Sequence, residues 1–121
     1  MKSIGVVALV VLTLLSTAFG AANDREHQKI AFLISSVENL KDAQFIRNGS
    51  AYDGKRAADH LRLKLQQAGD QVQRADDFIR LCASKSSVTG KPYLIRLPDG
   101  KTVAADEFFR KKLKEYDPPV K

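Results

Sequence analysis

One cysteine and two histidines are the whole supply of soft metal ligands in this 121-residue chain. His27 and His60 stand 33 positions apart and Cys82 is alone, so no local ligand cluster of the zinc-binding kind exists, and neither a metal nor another cofactor is expected. A single cysteine also rules out an internal disulfide. Cys82 falls in the middle of an apolar helical face, which marks it as a buried, inert thiol and not a nucleophile. Internal repeats, low-complexity tracts and interdomain linkers are missing too, so one domain is expected.

Further absences narrow the chemistry. The stretch SKSSVTGKPYLIRL, residues 84–97, contains a Gly-Lys pair, but a phosphate-gripping P-loop needs a glycine five residues before the second one, a hydroxyl after the lysine, and the order strand, loop, helix. Here those positions are Lys85 and Pro92, and the order reads helix, loop, strand. The C-terminal end of the preceding helix would repel an anion and attract Lys85. Two readings stay open: a helix end whose serine hydroxyls bond freed carbonyls, or a ligand loop using Ser86, Ser87 and Lys91. Neither Ser-x-x-Lys nor Gly-x-Ser-x-Gly occurs, so no catalytic residue is assigned. Nucleic acid is not an expected partner, because the positive charges are scattered and no basic cluster is interleaved with aromatics.

What is there begins with a leader. Lys2, an apolar run from Ile4 to Leu15 and the small residues of STAFGAAN form the three-part layout of a secretory signal over residues 1–22, with a cut after Gly20 or Ala22. The apolar run is 12 residues, against about 20 for a membrane-spanning helix. Removal of the leader takes one lysine and leaves residues 23–121 with 19 basic and 14 acidic residues, a net charge of +5. That balance favours acidic partners: an anionic ligand, an envelope protein, or contact with a membrane surface without a mature transmembrane helix.

In the remainder, Ile30, Leu33, Ile34, Val37 and Leu40 recur at steps of three and four and predict a helix over 26–40, with Phe32 on its opposite side covering a second contact surface. Gln44 to Arg47 reads as a short strand ended by Asn48-Gly49, two residues that tolerate the positive φ of a tight turn. Asp53 can cap a second helix that runs to Ala68 and stops at Gly69. Its apolar face carries Ala57, Ala58, Leu61 and Leu65; another face carries Arg56, His60 and Lys64 at four-residue steps. That basic stripe is either a solvated face or an anion-binding surface. A third helix is expected from Ala75 to Ser84, with Asp76 and Asp77 at its positive end. Tyr93 to Leu97 and Lys101 to Val103 are predicted strands folded at Pro98-Asp99-Gly100. A last helix runs from Ala104 to Tyr116, with Asp106/Arg110 and Glu107/Lys111 as i,i+4 pairs. The fold class that follows is α+β: a helix-rich small domain with about four amphipathic helices and two or three short strands.

The segments FIRNGSAYDGKRAADHLRLKLQQAGD and ADDFIRLCASKSSVTGKPYLIRL resemble the YfeK-like family of small exported bacterial proteins of unknown function. The pieces that carry the resemblance are Phe45 to Gly49, Ala57 to Leu65 with an extra Ala58-Asp59 before His60, and Ala83 to Tyr93. The resemblance implies export to the periplasm of a Gram-negative bacterium and supplies no activity. Arg74 stands where family members often carry threonine, so the expected hydroxyl cap of the third helix is missing. On these grounds the chain is expected to be a non-enzymatic periplasmic binding or interaction module for an anionic ligand or envelope partner. Its candidate surface is Arg47, Asn48, His60, Lys64, Ser86, Ser87, Lys91 and Tyr93. The alternative is a serine-dependent hydrolase acting on a cell-envelope substrate through Ser86 or Ser87 with His60. A chaperone-like protein would instead expose apolar patches around Phe32 and Leu63.

Overall fold

The computed structural model describes residues 23–116. The expected leader, residues 1–22, and the tail, residues 117–121, lie outside the described residues. Helix α1 covers residues 23–38 and buries Ile30, Leu33, Ile34 and Val37, the stripe set by its 3.6-residue period. Leu40 lies beyond the helix end and packs on the core from there. Phe32, on the opposite side, meets the ring of Tyr116 with centroids 5.0 Å apart. Its second contact is thus the end of the last helix. Leu63 is half exposed and isolated, the ordinary state of a single surface leucine.

Strands β1 (Gln44–Arg47) and β2 (Ser50–Tyr52) form a hairpin. Asn48 and Gly49 at its tip have φ of 52° and 82°, the pair of left-handed residues that a two-residue turn matched to strand twist requires. Only the first strand of this hairpin is predicted by the sequence pattern. β2 is three residues long with Ser50 and Ala51 exposed, and it shows no apolar alternation.

Helix α2 (Gly54–Ala68) starts where Asp53 Oδ1 accepts the Arg56 amide at 2.8 Å, and it stops at Gly69, φ 55°. Gly54 is needed for space: a Cβ there would sit 2.5 Å from the Val37 carbonyl oxygen at the end of α1. A 3-10 turn (Gly69–Gln71) leads to α3 (Ala75–Cys82). The helix ends two residues earlier than the pattern predicts, because Ser84 turns back and donates its hydroxyl to the Ile79 carbonyl at 2.6 Å.

The absent hydroxyl cap at Arg74 is replaced from two directions. Asp77 Oδ2 accepts the amides of Gln73 and Arg74, both at 3.0 Å, and Glu26 of α1 accepts the Ala75 amide at 2.9 Å. Burial works against the Glu26 carboxylate, but that amide and Lys29 outweigh it and hold its pKa below the usual range.

Strands β3 (Leu94–Arg96) and β4 (Thr102–Ala104) form the second hairpin, and α4 (Ala105–Tyr116) follows directly. All four strands are antiparallel in the order β2-β1-β3-β4. The class is therefore α+β. Cross-strand partners Tyr52, Phe45, Ile95 and Val103 share one face of the sheet, and Phe45 and Ile95 are buried there in one core with Leu33, Phe78, Ile79 and Phe109. In α4, Arg110 reaches Asp76 of α3 at 2.9 Å rather than Asp106, so the predicted i,i+4 pair gives way to a tie between helices. Among the described residues no helix is long and apolar enough to cross a membrane.

Candidate functional site

The basic stripe of α2 descends into the protein. Arg56 is exposed, His60 is half buried, and Lys64 is 8% exposed, so the solvated alternative fails at Lys64. Its ammonium donates to the Lys85 carbonyl and to the Tyr93 hydroxyl, each at 3.0 Å, and lies 4.9 Å from the centre of the Tyr93 ring. That carbonyl belongs to the loop three residues past the end of α3. The Lys85 side chain, which the dipole argument draws to the helix end, is exposed.

Arg47 approaches from β1. Its Nη1 is 3.1 Å from Nδ1 and 3.2 Å from Nε2 of His60, and the Tyr93 hydroxyl is 3.3 Å from Nε2. Nη1 is about equally far from both ring nitrogens, so the guanidinium sits against the imidazole and not in line with a single lone pair. Burial pushes the His60 pKa down, and the charges of Arg47 and Lys64 push it further the same way. Arg47 and Arg56 also lie against the Tyr52 ring, at 5.5 and 5.2 Å from its centre. The Arg47 guanidinium beside the phenol holds the Tyr52 pKa below the usual tyrosine range, against a smaller opposing effect of desolvation.

Arg47, Tyr52, Arg56, His60 and Tyr93 rim a cleft of about 210 Å³ between the β1–β2 hairpin and the first turns of α2 and α4, with Lys64 behind it. Its floor is apolar: Phe45, Leu61, Ala83, Ala105 and Phe109, all buried. Among the described residues none of Arg47, Arg56 and Lys64 is paired with a carboxylate, whereas Arg62, Arg80 and Arg110 all are.

The other predicted residues form a neighbouring polar cluster. Ser86 is 5% exposed, and its Oγ accepts the amides of Val88 and Thr89 and the Asn48 side-chain amide at 3.2 to 3.3 Å. Thr89 Oγ1 donates to Asn48 Oδ1 at 2.5 Å. The loop therefore closes on itself and latches the tip of the first hairpin. Ser87 and Lys91 are exposed on this loop, and neither lines the cleft. His60 makes no hydrogen bond to either serine among the described residues; its ring nitrogens meet Arg47 and Tyr93. Four of the eight predicted residues, Arg47, His60, Lys64 and Tyr93, are thus brought together, and Asn48 and Ser86 pair beside them.

Sequence reasoning left out Tyr52. The Asn48-Gly49 turn is the signal that finds it: a two-residue loop sets Arg47 opposite Ser50, and Tyr52 then falls opposite Phe45 on the face that carries Arg47.

A family model described as "Family of unknown function (DUF5329)" matches residues 24–117. The chain belongs to the DUF5329 family. It is 41% identical over 93 residues, 77% of each chain, to "Uncharacterized protein YfeK" of Salmonella typhimurium. No solved structure matches. The match to DUF5329 takes in both the rim and the floor of the cleft.

Proposed function

We propose that this DUF5329 protein is a non-enzymatic module, exported to the periplasm, whose cleft captures an anionic ligand or an anionic group of an envelope partner. The observation that carries the reading is a pair of guanidiniums, Arg47 and Arg56, at the mouth of an apolar cleft, neither in an ion pair with a carboxylate among the described residues. Bringing such charges together costs free energy that a bound anion recovers, and the low-dielectric walls strengthen the attraction. The hydrolase alternative has less support, because Ser86 Oγ already accepts three donors and His60 is turned toward Arg47 and Tyr93.

Titration with acetate and with inorganic phosphate, followed by amide NMR, tests this. Shifts should centre on Tyr52, Arg56 and His60, and Arg56→Ala should weaken binding about tenfold, the loss of one charge-assisted hydrogen bond. No shift at these residues with either anion removes the proposal. Export is tested on the mature protein from cells, whose first residue should be Ala21 or Asn23; a protein that retains Met1 contradicts it.

A further inference from the structure

The rim and the floor of the cleft ask different things of one ligand. Arg47 and Arg56 supply positive charge at the mouth, on either side of Tyr52, while Phe45, Leu61 and Phe109 below offer only hydrocarbon. An inorganic ion would satisfy the rim and leave the space above this floor unfilled, without the dispersion contacts that an apolar body makes there. A neutral apolar molecule would fill the floor and leave the guanidiniums uncompensated.

Size narrows the choice. A cavity of about 150 Å³ holds a benzene ring, and sites for drug-sized ligands begin at about 300 Å³. The volume here, about 210 Å³, matches one ring or a short chain. The shape of the donors points to the head group. Arg47 turns Nη1 toward His60, and the planar forks left on Arg47 and Arg56 match the two coplanar oxygens of a carboxylate.

We infer that the ligand is a small monocarboxylate with a ring-sized or short-chain apolar body, its carboxylate held by Arg47 and Arg56 and its body resting on the Phe45, Leu61 and Phe109 floor. This rests on the anion-binding reading above and goes further by specifying the body of the ligand. His60 and Tyr93 set the depth of the carboxylate, because Lys64 anchors Tyr93 from behind.

Calorimetric titration of the purified protein with acetate, butyrate, hexanoate and benzoate, with hexanol and inorganic phosphate as controls, decides the matter. Affinity should rise about three- to fourfold per added methylene from acetate to butyrate and level off when the chain outgrows the cavity. Benzoate should bind at least tenfold more tightly than acetate, and hexanol at least tenfold more weakly than hexanoate. Ala57→Leu, which places a larger side chain in the cleft wall at a half-buried position, should flatten the dependence on chain length. Equal affinity from acetate to hexanoate, with sensitivity to Arg56→Ala retained, overturns this inference and leaves anion capture standing. Hexanol binding as tightly as hexanoate also overturns it. Absence of binding by every anion overturns both.

Discussion

The two flanks of α2 treat their charges in opposite ways. On the flank facing α1, Arg62 clamps Glu38 through two hydrogen bonds of 2.8 and 3.0 Å and adds Asp59 at 3.2 Å, while Gly54 lets the helix start press against the last carbonyls of α1. On the flank facing the cleft, Arg56, His60 and Lys64 have no acidic partner among the described residues, and Arg47 of β1 adds a fourth basic group. One helix is therefore fastened on one side and left electrostatically open on the other. Stability and ligand capture draw on separate residues, so they should respond to separate substitutions.

The largest effect should come from loosening the fastened flank. Gly54→Ala forces a Cβ to within 2.5 Å of the Val37 carbonyl oxygen, backbone that cannot swing aside. A loss of about 1–3 kcal/mol, the usual range for overpacking, is expected in urea unfolding. Unchanged stability would mean that α1 and α2 are less closely joined than their carbonyl contacts indicate.

A smaller contrast separates two arginines on the same helix. Arg62→Ala should lower the urea midpoint by less than Gly54→Ala does, because the clamp is exposed and partly screened. Arg56→Ala should leave the midpoint unchanged or raise it, since it relieves repulsion without orphaning a partner. Equal destabilisation by the two variants would erase the distinction between the flanks.

The smallest effect is set by pH. The folded pKa of His60 lies below the unfolded value, so its contribution is present in full above the unfolded histidine pKa near 6.5 and is lost as pH falls through the folded pKa. Stability should therefore decline slightly on acidification through that window, and His60→Gln should flatten the decline. Anion binding should move the other way. Protonation of the ring as pH falls adds a positive charge beside Arg47 and should tighten binding of methanesulfonate, an anion that keeps its charge on acidification.

Most elements were legible because they rest on local chemistry. The stripe of α1, the Asp53 cap and Gly69 stop of α2, and the Asn48-Gly49 turn all follow from residues within a few positions of one another. What escaped the sequence depends on partners far along the chain. The start of α3 borrows Glu26 from 49 positions away, and Arg110 takes Asp76, 34 positions distant, over the nearer Asp106. Lys64 looked like a surface residue because lysine usually is one. Its burial depends on a backbone carbonyl 21 positions on and a tyrosine hydroxyl 29 positions on, neither of which leaves a mark in local periodicity. The cleft was half legible: four of its basic and aromatic contributors were named, but Tyr52 and the apolar floor emerge only once two hairpins and three helices converge.

Cys82 gives the molecule a clock of its own. The thiol is 1% exposed at the last residue of α3 and burial raises its pKa, so a thiol-directed dye has nothing to attack until that helix end parts from the core. The rate at which such a dye reacts counts openings one at a time, at a position that no engineered label need occupy.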